Sequence, residues 1–115
     1  MQLDRDKVRR DFASAVNMSA DEIEHWLATD DSRKVGFKGA DGQARESVGH
    51  ASGRKIVEIL RNGNEVLSAD DYAHMRKVVG YVARHSAQRP QNIYTSRWRY
   101  SLMNWGHDPV KEDER

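Results

Sequence analysis

The stretch from Ser68 to Pro90, SADDYAHMRKVVGYVARHSAQRP, carries the strongest structural instruction in the chain. Ser68 can accept a backbone N–H at a helix start, and Asp71, three residues on, completes a capping box. Tyr72, Met75, Val79 and Val82 then repeat at intervals of 3, 4 and 3, and Pro90 closes the segment. A stripe with that period is half of an interface, because its apolar side must be covered by other elements.

Four further segments supply partners. Leu3, Val8, Phe12 and Val16 trace a helical stripe from about Leu3 to Val16. In MSADEIEHWL, Ser19 and Glu22 form a second capping box ahead of the apolar Ile23, Trp26 and Leu27. SVGHASGRKIVEILRN predicts a third helix with Val48, Ile56, Ile59 and Leu60 inward, capped by Ser47 or Ser52 and stopped at Asn62-Gly63. Thr95 or Ser96 can cap a last helix on which Trp98, Leu102 and Trp105 share one face, ended by Gly106 and Pro109. Between the second and third helices, Ala28 to Glu46 shows no periodicity and reads as a long loop with three glycines and eight charges. There is no strand, hairpin or repeat signal. The expected fold is all-α, a compact single-domain bundle of about five helices with the last three forming the core.

A chain of 115 residues has room for one such core. Cysteine is absent, which removes disulfides, thiolate metal sites and cysteine nucleophiles. No apolar run is long enough to cross a bilayer, and MQLDRDKVRR lacks the apolar centre of a signal peptide, so cytoplasm is the expected location. The net charge of +1 conceals an asymmetry: residues 1–32, 33–107 and 108–115 carry −4, +7 and −2. A basic body between acidic ends, free to fray at 1–5 and 110–115, can attract a polyanion or pair with its own tails.

Several patterns bear on chemistry. Ala73, Lys77, Gly80, Arg84 and Ala87 form a second stripe on the fourth helix, small residues alternating with basic ones. It fits a phosphate backbone approaching closely, or a tight helix crossing with basic stems over its edge. SGRK at 52–55 could open a helix and present N–H groups to an anion, but the phosphate-binding loop pattern is absent there and in GFKGADG. Arg33, Lys34, Lys38 and Arg45 could clamp a polymeric phosphate or simply keep an exposed loop soluble. Glu22/His25, Glu46/His50 and Asp71/His74 have helical spacing for carboxylate and imidazole, yet none has the H-E-x-x-H form, and no metal or cofactor is expected. His107, beside Asp108, is a candidate general base or a group at a helix end. No G-x-S-x-G setting supports a serine nucleophile. The aromatic stripe of the last helix reads as core, which leaves Arg97, Ser101 and Asn104 on another face as the place to look for function.

The strings VNMSADEIEHWLATDDSRKVG, ESVGHASGRKIVEIL, DDYAHMRKVVGYVARH, QRP and TSRWRYSLMNWGHDP together resemble the bacterial domain-of-unknown-function family three-one-four-zero, over about Phe12 to Val110. The resemblance implies no catalytic residues. Some members carry a DNA-binding label, so it implies at most a non-enzymatic DNA-binding role. The expectation is therefore a protein that contacts the DNA phosphate backbone through Arg54, Lys55, Lys77, Arg84, Arg97 and Arg99. The alternative is an interaction module for an acidic protein partner.

Overall fold

The computed structural model describes residues 4–39, 42–62 and 66–113, and among them the regular structure is helical throughout. The helices are α1 (Arg5–Ala15), α2 (Ala20–Leu27), α3 (Asp30–Lys34), α4 (Val48–Asn62), α5 (Ala69–Ser86), α6 (Arg97–Asn104) and α7 (Pro109–Asp113). Both capping boxes form as the sequence requires: Ser19 with Glu22 opens α2 and Ser68 with Asp71 opens α5. Ser96 caps α6, and Ser47, whose Oγ accepts the His50 N–H at 3.0 Å, opens α4. Ser52 therefore lies in the second turn of α4, and SGRK is not a helix start. Its N–H groups lie beyond the first turn, where the helix's own carbonyls take them. Leu3 and Gly63, read as a stripe residue and a helix stop, fall outside the described residues.

Two short helices depart from the expected five. Within the supposed long loop, Thr29 caps α3 by accepting the Ser32 N–H, with Asp30 and Asp31 in the first turn and Arg33 and Lys34 in the last. That charge order complements the helix dipole. A five-residue element has too little length to show an apolar period, so the signal was the cap and the charges. α7 occupies most of the segment read as a frayed acidic end. Val110 is buried, Arg89 pairs with Asp113, and Lys111 pairs with Glu22.

The core draws on more than the last three long helices. α1 lies along α5 and α2 along α4 in the most extensive contacts. Val8, Phe12, Ile23 and Leu27 are buried with Ile56, Met75, Val78, Leu102 and Trp105. Val48, expected inward, is exposed in the first turn of α4. The close helix crossing is made by Gly49 and Gly53 of α4. A Cβ on Gly53 would stand 2.7 Å from the Asn104 carbonyl oxygen and 2.7 Å from Leu27 Cδ2. The α5 stripe of small and basic residues, by contrast, faces outward, with Ala73, Lys77, Arg84 and Ala87 exposed.

Two arrangements lock α6 in place. Asn104 is fully buried and joins three helices: its Oδ1 accepts from Trp26 Nε1 (2.7 Å) and Ser32 Oγ (2.5 Å), and its Nδ2 donates to the Ser32 carbonyl (3.1 Å). Between α5 and α6 runs a ladder of stacked rings. His74 and Trp105 have centroids 6.2 Å apart, Trp105 and Tyr81 4.3 Å, Tyr81 and His85 5.1 Å, and His85 and Trp98 6.4 Å. Arg89 caps the ladder over Trp98. Beyond α6, Gly106 adopts φ +80°, a conformation L side chains rarely take, and its carbonyl accepts the N–H groups of Asn17 and Met18.

Candidate nucleic-acid interface

A groove of about 270 Å³ opens between the α3–α4 loop, the start of α4, and the outer faces of α5 and α6. Helical spacing puts its walls together. Lys77, Tyr81 and Arg84 recur at i, i+4 and i+7 on α5, and Ser101 and Trp105 at i and i+4 on α6. Val48 and Gly49 supply the first turn of α4, and Gly36 and Phe37 the loop. Gly36 has φ +100°, and the Phe37 carbonyl accepts the Val48 N–H at 2.8 Å, which fixes the loop against α4. The Phe37 ring is nonetheless 64% exposed.

The six cations named from the sequence separate into two groups. Arg54 donates to both Glu46 oxygens from its Nε and Nη2. That hydrogen bonding, with help from His50, holds the Glu46 carboxyl down at about 2. Lys55 bonds Asp71 at 2.7 Å and ties α4 to the start of α5. Arg99 grips the buried Asp108 with two bonds of 3.1 Å and donates to the Tyr94 carbonyl at 2.8 Å. These three hold the fold. Lys77 and Arg84 meet no carboxylate among the described residues, and both line the groove. Arg97, one turn before Ser101, reaches the Lys34 carbonyl at 3.4 Å and so flanks the groove beside the loop. Of the six, the groove is lined by Lys77 and Arg84, with Arg97 held at the end of α3 one turn from Ser101, while Arg54, Lys55 and Arg99 are engaged elsewhere.

The meaning of Gly80 in the basic stripe is also clear. A Cβ there would stand 2.9 Å from an Arg84 guanidinium nitrogen, so the glycine seats Arg84's own head group along α5. Of the polar face read on α6, Asn104 turns out to be the buried hub, while Ser101 lines the groove with Tyr81. The indole N–H of Trp105 stands beside Gly49 at the groove. Phe37, Tyr81 and the Trp105 N–H are site groups the sequence reading did not single out. An aromatic between two loop glycines, GFKG, was the available signal for Phe37.

Four of the five histidines are spent on structure, and His25 is exposed on α2. His50 contacts Glu46 through Nδ1 and the Leu27 carbonyl through Nε2. His74 bonds Ser52 Oγ at 2.9 Å, and burial pushes its imidazole below its ordinary value. Burial does the same to His85, whose Nε2 is enclosed and unpartnered among the described residues. His107 is buried, with Nδ1 at the Ala15 carbonyl (2.7 Å) and Nε2 at Glu112 (3.0 Å). Neither ring nitrogen is left to act as a general base on an incoming group. Among the described residues no three His, Asp or Glu side chains gather to hold a metal, and no helix is long and apolar enough to cross a membrane.

No curated protein and no solved structure matches the chain. Residues 11–103 match the model of the family described as Protein of unknown function (DUF3140), and with most of its length inside that match the chain belongs to that family.

Proposed function

We propose that the protein is a non-enzymatic nucleic-acid-binding module that holds a phosphate backbone at the groove through Lys77 and Arg84, with Arg97 alongside. The observation that carries this is the absence of carboxylate partners for Lys77 and Arg84, among the described residues, at the rim of a groove. A cation already paired has little to gain from a phosphate, whereas an unpaired one displaces condensed counterions when it binds. Arg54, Lys55 and Arg99 therefore leave the proposed contact set.

Fluorescence anisotropy with labelled DNA across a salt series tests the reading. Three phosphate contacts give a log–log salt slope of about −2 to −3. Lys77→Ala/Arg84→Ala should remove about two-thirds of that slope and weaken binding to every sequence alike. Arg54→Ala should leave binding unchanged. Absence of binding at low salt, or equal binding by the double variant, refutes it. The second reading, an acidic protein partner, draws support from Phe37 and Val48, which would receive an apolar anchor side chain. It predicts a stoichiometric protein complex in place of salt-dependent DNA binding.

A further inference from the structure

We infer that the groove receives one unstacked base, so that the preferred ligand is single-stranded nucleic acid. This rests on the phosphate-contact reading above and adds a role for the cavity itself. Cavities for drug-sized ligands begin near 300 Å³, and this one, at about 270 Å³, has room for a flat ring system. Its walls are largely carbon, from Phe37, Val48, Tyr81 and Trp105.

Ring geometry decides where a base can stack. Trp105 lies between His74 and Tyr81, and Tyr81 lies between Trp105 and His85, so both present edges to the groove. Phe37 makes no ring contact among the described residues and is mostly exposed, which leaves its face free for a flat partner. Hydrogen-bond chemistry narrows the partner further. The charged groups and the one ring N–H at the groove are the Lys77 ammonium, the Arg84 guanidinium and the Trp105 N–H, all donors. The Asn104 oxygen is already taken by Trp26 and Ser32, and the Tyr81 and Ser101 hydroxyls can donate or accept. An entering group must bring acceptors on a flat apolar body and carry negative charge beside it. A nucleobase with its flanking phosphates has that combination. In a duplex the base edges are paired and the rings stacked, so a backbone can touch Lys77 and Arg84 without filling the cavity; a single strand can do both.

The test compares a labelled single-stranded oligothymidylate, an abasic strand of the same length and phosphate count, and a duplex of that length. The strand with bases should bind about tenfold or more tightly than the abasic strand. Phe37→Ala should erase that difference with the salt slope intact, and Phe37→Trp should restore it. Because the ring is exposed, thermal melts of both variants should match the wild type. Equal affinity for normal and abasic strands, or a Phe37→Ala variant that keeps the difference, overturns base capture; a salt slope cut by about two-thirds in Lys77→Ala/Arg84→Ala would then leave the phosphate reading standing. No binding of any of the three ligands at low salt overturns both.

Discussion

Alanine at Gly53 and alanine at Gly80 are the same chemical change in two helix interiors, and the structure gives them opposite signs. In each case the helix gains about 1 kcal/mol of propensity, since alanine has less backbone freedom to lose. At Gly53 the new methyl meets the Asn104 carbonyl at 2.7 Å and Leu27 Cδ2 at 2.7 Å. The carbonyl belongs to the C-terminal turn of α6, which is pinned by the Asn104 hub, so relief requires moving α4 away from α6. Overpacking of this kind costs about 1–3 kcal/mol, and more where backbone must shift. With a backbone shift taking the cost to about 2–4 kcal/mol, the expected net loss for Gly53→Ala is about 1–3 kcal/mol. At Gly80 the methyl meets the end of the flexible Arg84 side chain, which can swing into solvent. Gly80→Ala should therefore gain about 0.5–1 kcal/mol. With about 2.1 cal/mol/K of unfolding entropy per residue over 115 residues, each kcal/mol moves Tm by about 4 °C. Differential scanning calorimetry should show Gly53→Ala melting roughly 4–12 °C lower and Gly80→Ala about 2–4 °C higher. A Gly53→Ala protein as stable as the wild type refutes the close crossing. Because Gly80 also seats Arg84, the stabilised variant should bind DNA with a changed affinity.

Asn104→Asp keeps the shape of the hub and turns its donor toward the Ser32 carbonyl into an acceptor. It should cost about 2–4 kcal/mol in urea denaturation, and Asn104→Ala about 3 kcal/mol or more by leaving the Trp26 and Ser32 groups unpartnered. Arg99→Ala should cost about 2–4 kcal/mol, because it strands Asp108, which is 11% exposed. Arg54→Ala, at a 63% exposed side chain, should cost under about 1 kcal/mol. The pH dependence has two windows. His74 and His85 have folded values below the ordinary 6.5, so the unfolded chain binds protons first and stability falls as pH drops below about 6.5; His74→Gln should flatten that slope in melts between pH 8 and 5. Glu46 keeps its contribution above 4.5 and loses it as pH falls toward about 2, and Arg54→Ala should shrink that acid transition.

What was legible in the sequence was whatever local chemistry dictates. The capping boxes at Ser19 and Ser68, the stripe through Tyr72, Met75 and Val82, and the buried face of Trp98, Leu102 and Trp105 all stand where spacing and caps required. α3 and α7 were not legible, because five residues hold barely more than one turn of period. The fate of the cations was harder still. Arg99 and Asp108 are nine positions apart, and Arg54 and Glu46 eight, across helix boundaries, so no helical spacing rule links them. Lys77 and Arg84 could be named from their stripe, but that they meet no carboxylate among the described residues depends on which side of α5 meets α1. Asn104 looked like a surface residue for the same reason: its partners, Trp26 and Ser32, lie more than seventy positions away.

The junction after α6 has a consequence for the order of events during synthesis. The Asn17 side chain donates to the Asp108 carbonyl and accepts the Asp108 N–H, at a separation of 91 residues, and Asn17 and Met18 give their N–H groups to Gly106. At about 5–20 residues per second, a ribosome takes on the order of 5–20 s to make the chain between those partners. For that interval α1 and α2 gain cover from α5 and α4, but the junction between them is not yet closed. Residues 106–111 are the closing piece: a nascent chain stopped short of them should remain protease-sensitive and bound by holdase chaperones, and extension past them should release it.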